Sequence, residues 1–525
     1  MSRRQFVATV GATTVAAQGV FGCTTIDEDR ERVETTIRRP NILLILSDQH
    51  RADCMGAYGN PDIRTPHLDA LASDGVRYDR CYSTFPVCTP SRYSILSGLY
   101  AHEHRGWNNR CTLHPEIATF PKLMRGAGYR TMAIGKMHFT PTYLDVGFDR
   151  MLLSEQDGEG RWDDDYHREL MQHGLLDIND VEDQRREYRE HARKEYWDTC
   201  GALASNLPLE FHSTEWVGRK ALEEIEGWGP EGNLLAVSFI KPHHPFDPPE
   251  ALCDLYDPLA LTLPPGWIPQ CRAHDLELHA GYFPHDQLTE GVLRRVTAYY
   301  YATIEHIDRQ VGRMVETLKR KGLYENTAIV YTSDHGEYLG YHHLLLKGGY
   351  MYEPLARVPL IIKYAHGGRK NETATELVSL VDLSSTLLGQ AGCPIAEGMR
   401  GQDLARKHAH REVVFAESGR GGQVMARTRT HKLLLSESPR FGQFFDLERD
   451  PLELNNLYDD PGSKSRVADL TAQVREWQGG NALREAYLDL DAPVIQQPNV
   501  PPRDLSHRAA LIEYTRKQFV ALRSG

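Results

Sequence analysis

Cys88-Thr89-Pro90-Ser91-Arg92 sets a thiol and a guanidinium four residues apart, with a proline between them that suits the first turn of a helix. Gly98 suits the other end. The spacing predicts a short helix with Cys88 at its N-terminus and Arg92 one turn on, on the same face. There the free N–H groups and the positive end of the helix dipole favour an anion. Cys88 is therefore a candidate low-pKa nucleophile, with a buried inert thiol as the alternative. Asp48, Lys136, Lys241 and Asp334 form a second group, because each directly follows a short apolar run.

Those runs are Asn41 to Ser47, Arg130 to Gly135, Leu234 to Ile240 and Thr327 to Ser333. Nearly unbroken apolar segments of this length read as strands buried on both faces of a largely parallel sheet. In open α/β sheets the ligand crevice lies outside the strands' carboxyl ends, so charges far apart in sequence should meet there. Helical patterns at Leu68 to Asp74, Phe120 to Gly126, Ser213 to Ile225 and Leu293 to Lys321 alternate with the strands, as βα units require. The expected fold is a large, mixed, mostly parallel sheet sandwiched by helices, filling residues 40–370.

Arg150 to Leu209 is rich in charge and poor in apolar periodicity, and reads as an insertion over the active face. From 371 to 525 the pattern changes to a smaller C-terminal subdomain. Its antiparallel strands are expected at Val413 to Glu417, Gln423 to Thr428, Lys432 to Leu435 and Gln443 to Leu447, with a helix at Lys464 to Trp477.

The net charge of −12 on 525 residues speaks against nucleic acid or an anionic membrane surface as partner, since both need a basic face that displaces counterions. An anionic substrate would need a local basic pocket. Ser2-Arg3-Arg4-Gln5-Phe6 and the weakly apolar run to Phe21 read as a twin-arginine export signal spanning residues 1–23. Val20-Phe21-Gly22-Cys23 is similar to a lipoprotein cleavage box, with Cys23 as the lipid-bearing residue, and residues 24–39 form a polar tether. A membrane is then met only through that lipid anchor. Of nine cysteines, the seven other than Cys23 and Cys88 show no CxxC spacing, which leaves room for one disulfide at most.

C-T-P-S-R-x-x-x-L-x-G resembles the signature of the type I, formylglycine-dependent sulfatases of the alkaline phosphatase superfamily. The opening strand through Gln49, Thr65-Pro66-His67-Leu68-Asp69, Asp334-His335-Gly336-Glu337, Arg357-Val358-Pro359 and Phe445-Asp446-Leu447 follow that family's blocks in order. The resemblance implies that a maturation enzyme converts Cys88 to formylglycine. Hydrated, the aldehyde offers two hydroxyls: one attacks sulfur and expels the alcohol, and the other then loses its proton, so that the C–O bond to sulfate breaks and the aldehyde returns.

It also implies a divalent cation on Asp48, Gln49, Asp334, His335 and the modified Cys88. Three oxygen donors suit Ca2+, while the amide at Gln49 and the imidazole at His335 leave Mn2+ or Mg2+ open. Arg92, Lys136 and Lys347 are expected to hold the modified side chain and the sulfuryl oxygens. Lys136 and His138 are expected to point one way along an extended segment. His138 would help remove the diol proton, and His243 would contact sulfate and protonate the leaving alcohol. Asn109, or its neighbour Asn108, is a candidate substrate contact, and His244, His342 and His343 are read as rim or structural.

The implied reaction releases inorganic sulfate from a sulfated small molecule or saccharide. The alternatives are a phosphonate monoester or phosphodiester hydrolase of the same superfamily and a non-catalytic glycan-binding lipoprotein.

Overall fold

A computed structural model describes residues 39–278, 282–406, 411–419, 422–479 and 504–524. The export segment with Cys23, and the tether as far as residue 38, lie outside them. From Arg39 onward the chain packs as one compact unit.

In chain order the strands are β1 (Asn41–Asp48), β2 (Val76–Tyr78), β3 (Cys81–Tyr82), β4 (Arg130–Gly135), β5 (Arg150–Leu153), β6 (Asn233–Pro242), β7 (Thr327–Ser333), β8 (Arg357–Val358), β9 (Leu360–Lys363), β10 (Glu372–Ala374) and β11 (Val378–Ser379). Four more follow: β12 (Val414–Ser418), β13 (Gln423–Arg427), β14 (His431–Ser436) and β15 (Gln443–Asp446). The large sheet has eight strands in the order β10-β2-β9-β7-β1-β6-β4-β5. Its centre is parallel, β7-β1-β6-β4-β5, and β9 runs antiparallel to both β7 and β2.

The apolar runs are central strands because both faces of the sheet are covered. Side chains alternate along β1 with period two, so Ile42, Leu44 and Leu46 enter one core while Leu43 and Ile45 enter another. The first core is closed by the helices Cys88–Ser97, Phe120–Gly126 and Asp382–Gln390. The second is closed by Pro66–Ser73, Ser213–Glu226 and Glu290–Arg320, which bring Leu68, Trp216, Val311 and Met314 against the sheet.

β12 to β15 form a separate antiparallel sheet in sequence order, with helix Lys464–Trp477 seated on it through Leu470 and Val474. The change of architecture falls beyond residue 406, later than the boundary at 371 read from composition. β10 pairs with β2 at the large sheet's edge, and Leu383, Leu387 and Leu388 fill the first core. The segment read as an insertion likewise opens inside the sheet, because Arg150–Leu153 is the edge strand β5. Its carboxylates are largely buried, Asp163, Asp164, Asp180 and Asp183 among them. The eight described cysteines are free thiols, and among the described residues no helix is long and apolar enough to cross a membrane.

Gly135 closes β4 with φ +96°, and a Cβ there would lie 1.9 Å from the carbonyl oxygen of Ser238. That close approach lets Lys136 leave the sheet toward the crevice. Gly135→Ala is expected to cost more than about 2 kcal/mol through this clash and the left-handed backbone. A lowered thermal unfolding midpoint would show it, whereas an unchanged midpoint would mean that the β4–β6 spacing relaxes freely.

Candidate active site

The carboxyl ends of β1, β7, β6 and β4 meet around Cys88. The helix Cys88–Ser97 is fully buried, starts at Cys88 and ends where Gly98, at φ +66°, returns its N–H to the carbonyl of Ser94. Asn109 closes its other end, its Oδ1 accepting from the N–H of Thr89 at 3.1 Å. Asn109, read as a substrate contact, thereby also caps the Cys88 helix.

Arg92 projects from the same face as Cys88 into the gap between the strand ends. Its Nε donates to Asp334 Oδ2 at 2.9 Å and its Nη2 to Asp48 Oδ2 at 3.2 Å. Nη1 donates to Ser238 Oγ at 2.8 Å and also reaches the carbonyl of Lys136. One planar fork therefore spans β1, β7, β6 and the end of β4.

The thiol lies inside this frame. Cys88 Sγ is 3.6 Å from Asp48 Oδ1, 3.4 Å from His335 Nε2 and 3.2 Å from Lys347 Nζ. Lys136 Nζ sits 2.8 Å from Asp48 Oδ2 and donates to Gln156 Oε1 at 3.3 Å. Burial raises the affinity of Cys88 for its proton, but Lys347 and Lys136 outweigh it and hold the thiol well below its ordinary pKa. For Asp48, burial and the neighbouring Cys88 push upward, and the charges of Lys136 and Lys347 prevail and keep it ionised. Asp334 is raised instead, by burial and by the charge of Asp48, against the pull of Arg92.

Two buried carboxylates driven apart in this way form a setting that a divalent cation relieves. The donor atoms of Asp48, Cys88, Asp334 and His335 all lie within 4.8 Å of one another. His335 Nδ1 is engaged with the carbonyl of Gly336 at 2.9 Å, which turns Nε2 into the site. Gln49 supplies the independent test of fit. Its Nε2 donates to Glu337 Oε2, while its Oε1 is buried without a hydrogen-bond partner among the described residues. An orphaned buried amide oxygen, on the residue that follows Asp48 and donates its N–H to Asp334, adds an oxygen donor of the kind a hard cation takes.

The two catalytic histidine candidates stand in opposite protonation states. His138 Nε2 lies 2.7 Å from Asp157 Oδ1. Burial lowers its pKa, but Asp157 raises it to about 10, so the resting ring carries its proton instead of standing ready as a base. His243 is neutral, because burial, Lys347 and Lys136 push its pKa well below the usual value. Its Nδ1 donates to the carbonyl of His244 at 2.7 Å and its Nε2 accepts from Lys347 at 2.7 Å. The ammonium of Lys347, not the His243 ring, holds the proton there.

His138 also departs from the extended geometry read from Gly-Lys-Met-His. At φ +58° it is left-handed, so strand alternation does not bring it in beside Lys136. Instead Glu155 accepts from the N–H of both Met137 and His138 at 2.9 Å and folds the segment into the site.

Glu155, Gln156 and Asp157 were missed by the sequence reading, as were Ser238 and Glu337. The first three sit just past the end of β5, where the strand-end rule that found Asp48 would have found them had β5 been recognised. Lys241, which that rule did select, pairs with Asp247 and holds the turn after β6. His244 is stacked on His243 with ring centroids 4.2 Å apart and bonded to Asp183 at 2.6 Å, on the rim. His342 bonds the carbonyl of Leu452 and His343 those of Ile268 and His285, both structural as read.

A family model described as Sulfatase matches residues 40–393. An arylsulfatase of Clostridium perfringens is 30% identical over 506 residues, covering 86% of this chain and 98% of that protein. An N-acetylglucosamine-6-O-sulfatase of Bacteroides thetaiotaomicron is 27% identical, covering 84% of this chain and 86% of its own length. Among solved structures, a phosphonate monoester hydrolase of Agrobacterium radiobacter superposes with a TM-score of 0.71 at 22% identity, covering 85% of this chain and 96% of that one.

Glu337 accepts from the Gln49 amide nitrogen and so fixes which end of that amide is left without a partner. Glu337→Gln, which frees that amide to turn over, is expected to weaken divalent-cation binding by about tenfold or more. Calorimetric titration of the chelator-treated protein with Ca2+, Mn2+ and Mg2+ measures this, and an affinity within twofold of the parent would remove Gln49 from the ligand set. Chelation alone should lower the thermal midpoint, since saturation at 100 times Kd stabilises by about 2.7 kcal/mol.

Proposed function

This chain belongs to the sulfatase family and is a sulfuric ester hydrolase, and from that premise we propose that it releases sulfate from a sulfated saccharide, with the formylglycine made from Cys88 as nucleophile. One observation carries the mechanism: the Cys88 side chain lies at a buried helix N-terminus with Asp48, His335 and Lys347 all within 3.6 Å of its sulfur. The N-acetylglucosamine-6-O-sulfatase relative, alike across most of both chains, supports the saccharide.

Asp48, Gln49, Asp334, His335 and the modified residue 88 would hold a divalent cation, for which we favour Ca2+ over Mn2+ or Mg2+. Bound there, it would polarise the oxygens of the sulfate ester. Arg92 holds the two carboxylates at fixed separation, and Lys136 and Lys347 place positive charge where negative charge builds on the sulfuryl group. The Lys347 ammonium supplies the proton that the leaving alcohol takes, and His243, accepting from it through Nε2, holds it in position. His138, kept protonated by Asp157, hydrogen-bonds the side chain at position 88 and steadies it.

The phosphonate monoester hydrolase reading has its own support in Gln49 beside Asp48 and in the shared fold. Protein matured by a formylglycine-generating enzyme should release sulfate from at least one member of a panel of sulfated mono- and oligosaccharides. Cys88→Ala should lower that rate by at least about 10³-fold. Undiminished cleavage by Cys88→Ala would overturn the nucleophile, and preference for an aryl phosphonate ester over an aryl sulfate at matched concentration would favour the second reading.

Export by the twin-arginine segment and lipidation at Cys23 belong to the same proposal, since a polymeric substrate is met outside the cytoplasm. Labelled palmitate should enter the parent in its host and be absent from Cys23→Ser; equal labelling of both would remove the anchor.

A further inference from the structure

Between the segment Arg51 to Asp53, the β3–β8 ribbon and the small sheet lies a cavity of about 430 Å³, within the range of about 300–1,000 Å³ that ligand pockets occupy. None of the groups gathered around Cys88 lines it. Its wall carries five arginines against three carboxylates, a local surplus of positive charge in a chain of net charge −12.

Three of the arginines are accounted for. Arg51 meets Asp53 at 2.6 Å, Arg77 meets Asp79 at 2.8 Å and Arg427 meets Glu353 at 3.0 Å. Each also lies over a tyrosine of the same wall, Tyr341, Tyr58 and Tyr82 respectively, at 6.0, 5.3 and 5.6 Å. Carboxylate and ring together fix these guanidinium groups as scaffold.

Arg80 and Arg357 differ. The guanidinium of Arg357, in the Arg-Val-Pro segment, makes no hydrogen bond or ion pair among the described residues, although the residue is half-buried and its charge acts on Asp53 and Glu353 at longer range. Arg80, also half-buried, donates only to the carbonyl of Thr375, at 3.5 Å. The two flank the same tyrosine: Arg357 on β8 is registered opposite Tyr82 on β3, and Arg80 stands two residues before it. Two planar forks without a carboxylate partner among the described residues thus line one cavity whose other arginines are each paired with a carboxylate. That arrangement selects a tetrahedral oxyanion over a neutral or cationic ligand.

We propose that this cavity is a second anion site, which takes a sulfate group through the guanidinium groups of Arg80 and Arg357. The group comes either from free inorganic sulfate or from a sulfate ester further along a saccharide chain. The choice of sulfate among oxyanions rests on the sulfatase reading, while the anion site itself stands on the cavity.

The test uses the Cys88→Ala protein, in which no turnover disturbs a titration. It is titrated calorimetrically with sodium sulfate, and separately with a doubly sulfated disaccharide, at ionic strength held constant with sodium chloride. Arg357→Gln and Arg80→Gln, each added to Cys88→Ala, are expected to weaken a saturable binding component by at least tenfold. Loss seen with sulfate assigns the site to the free anion, and loss seen with the disaccharide alone assigns it to the saccharide. Isotherms unchanged by both arginine variants overturn the proposal. Arg80 lies in a turn ahead of β3, so Arg80→Gln keeps the test open if Arg357→Gln does not fold. Failure of the sulfatase reading appears elsewhere, as absent sulfate release by the matured Cys88 enzyme.

Discussion

The guanidinium of Arg92, clamped between Asp48 and Asp334, is the contact on which the site depends. Three nitrogens of one side chain bind the ends of β1, β7 and β4 and Ser238 within β6, so four strands that are distant in sequence share one buried cation. Fully desolvated pairs of this kind add little net stability, because dehydrating the charges offsets most of their attraction. Removing one member is another matter, since the charges left behind cost about 3–5 kcal/mol. The fork therefore serves geometry: it holds two buried carboxylates at one place, and it does so from the helix that carries Cys88.

That spacing gives an acidic protein a way to receive an anion. With net charge −12 the long-range field repels a sulfate ester, so attraction must come from groups within a few ångströms. Lys136 and Lys347 supply it at the nucleophile, in a low-dielectric pocket where each charge counts for more than it would at the surface. The cavity lined by Arg80 and Arg357 repeats the arrangement on a smaller scale, with excess cations enclosed by walls that are internally neutralised.

Protons are sorted by the same local fields. Asp157 beside His138 and Lys347 beside His243 drive two similar imidazoles to opposite states. The proposed mechanism asks the site both to give and to take a proton, and titratable groups held apart in this way suit that. The segment after β5 does half of this work, since Glu155 bends the chain at His138, Gln156 steadies Lys136 and Asp157 charges the ring.

Much of this was legible in the residues themselves. Unbroken apolar runs ending in Asp48, Lys136 and Asp334 identify parallel strands, because only a strand covered on both faces can be apolar throughout. Pro90 and Gly98 bound the Cys88 helix through backbone preferences that act locally. Partnership was not legible. Nothing in the chain near His138 announces Asp157, and β5 is too short and too polar at Arg150 to stand out as a strand until it pairs with β4. The protonation states of His138 and His243 were not legible for the same reason, since a histidine's proton is set by whatever charge packs against it and those charges arrive from other elements. Sequence alone determined which strands form and which side chains stand at their ends. Only the tertiary structure decided which of those side chains share a hydrogen bond, because electrostatic pairing depends on distances that local propensity does not encode.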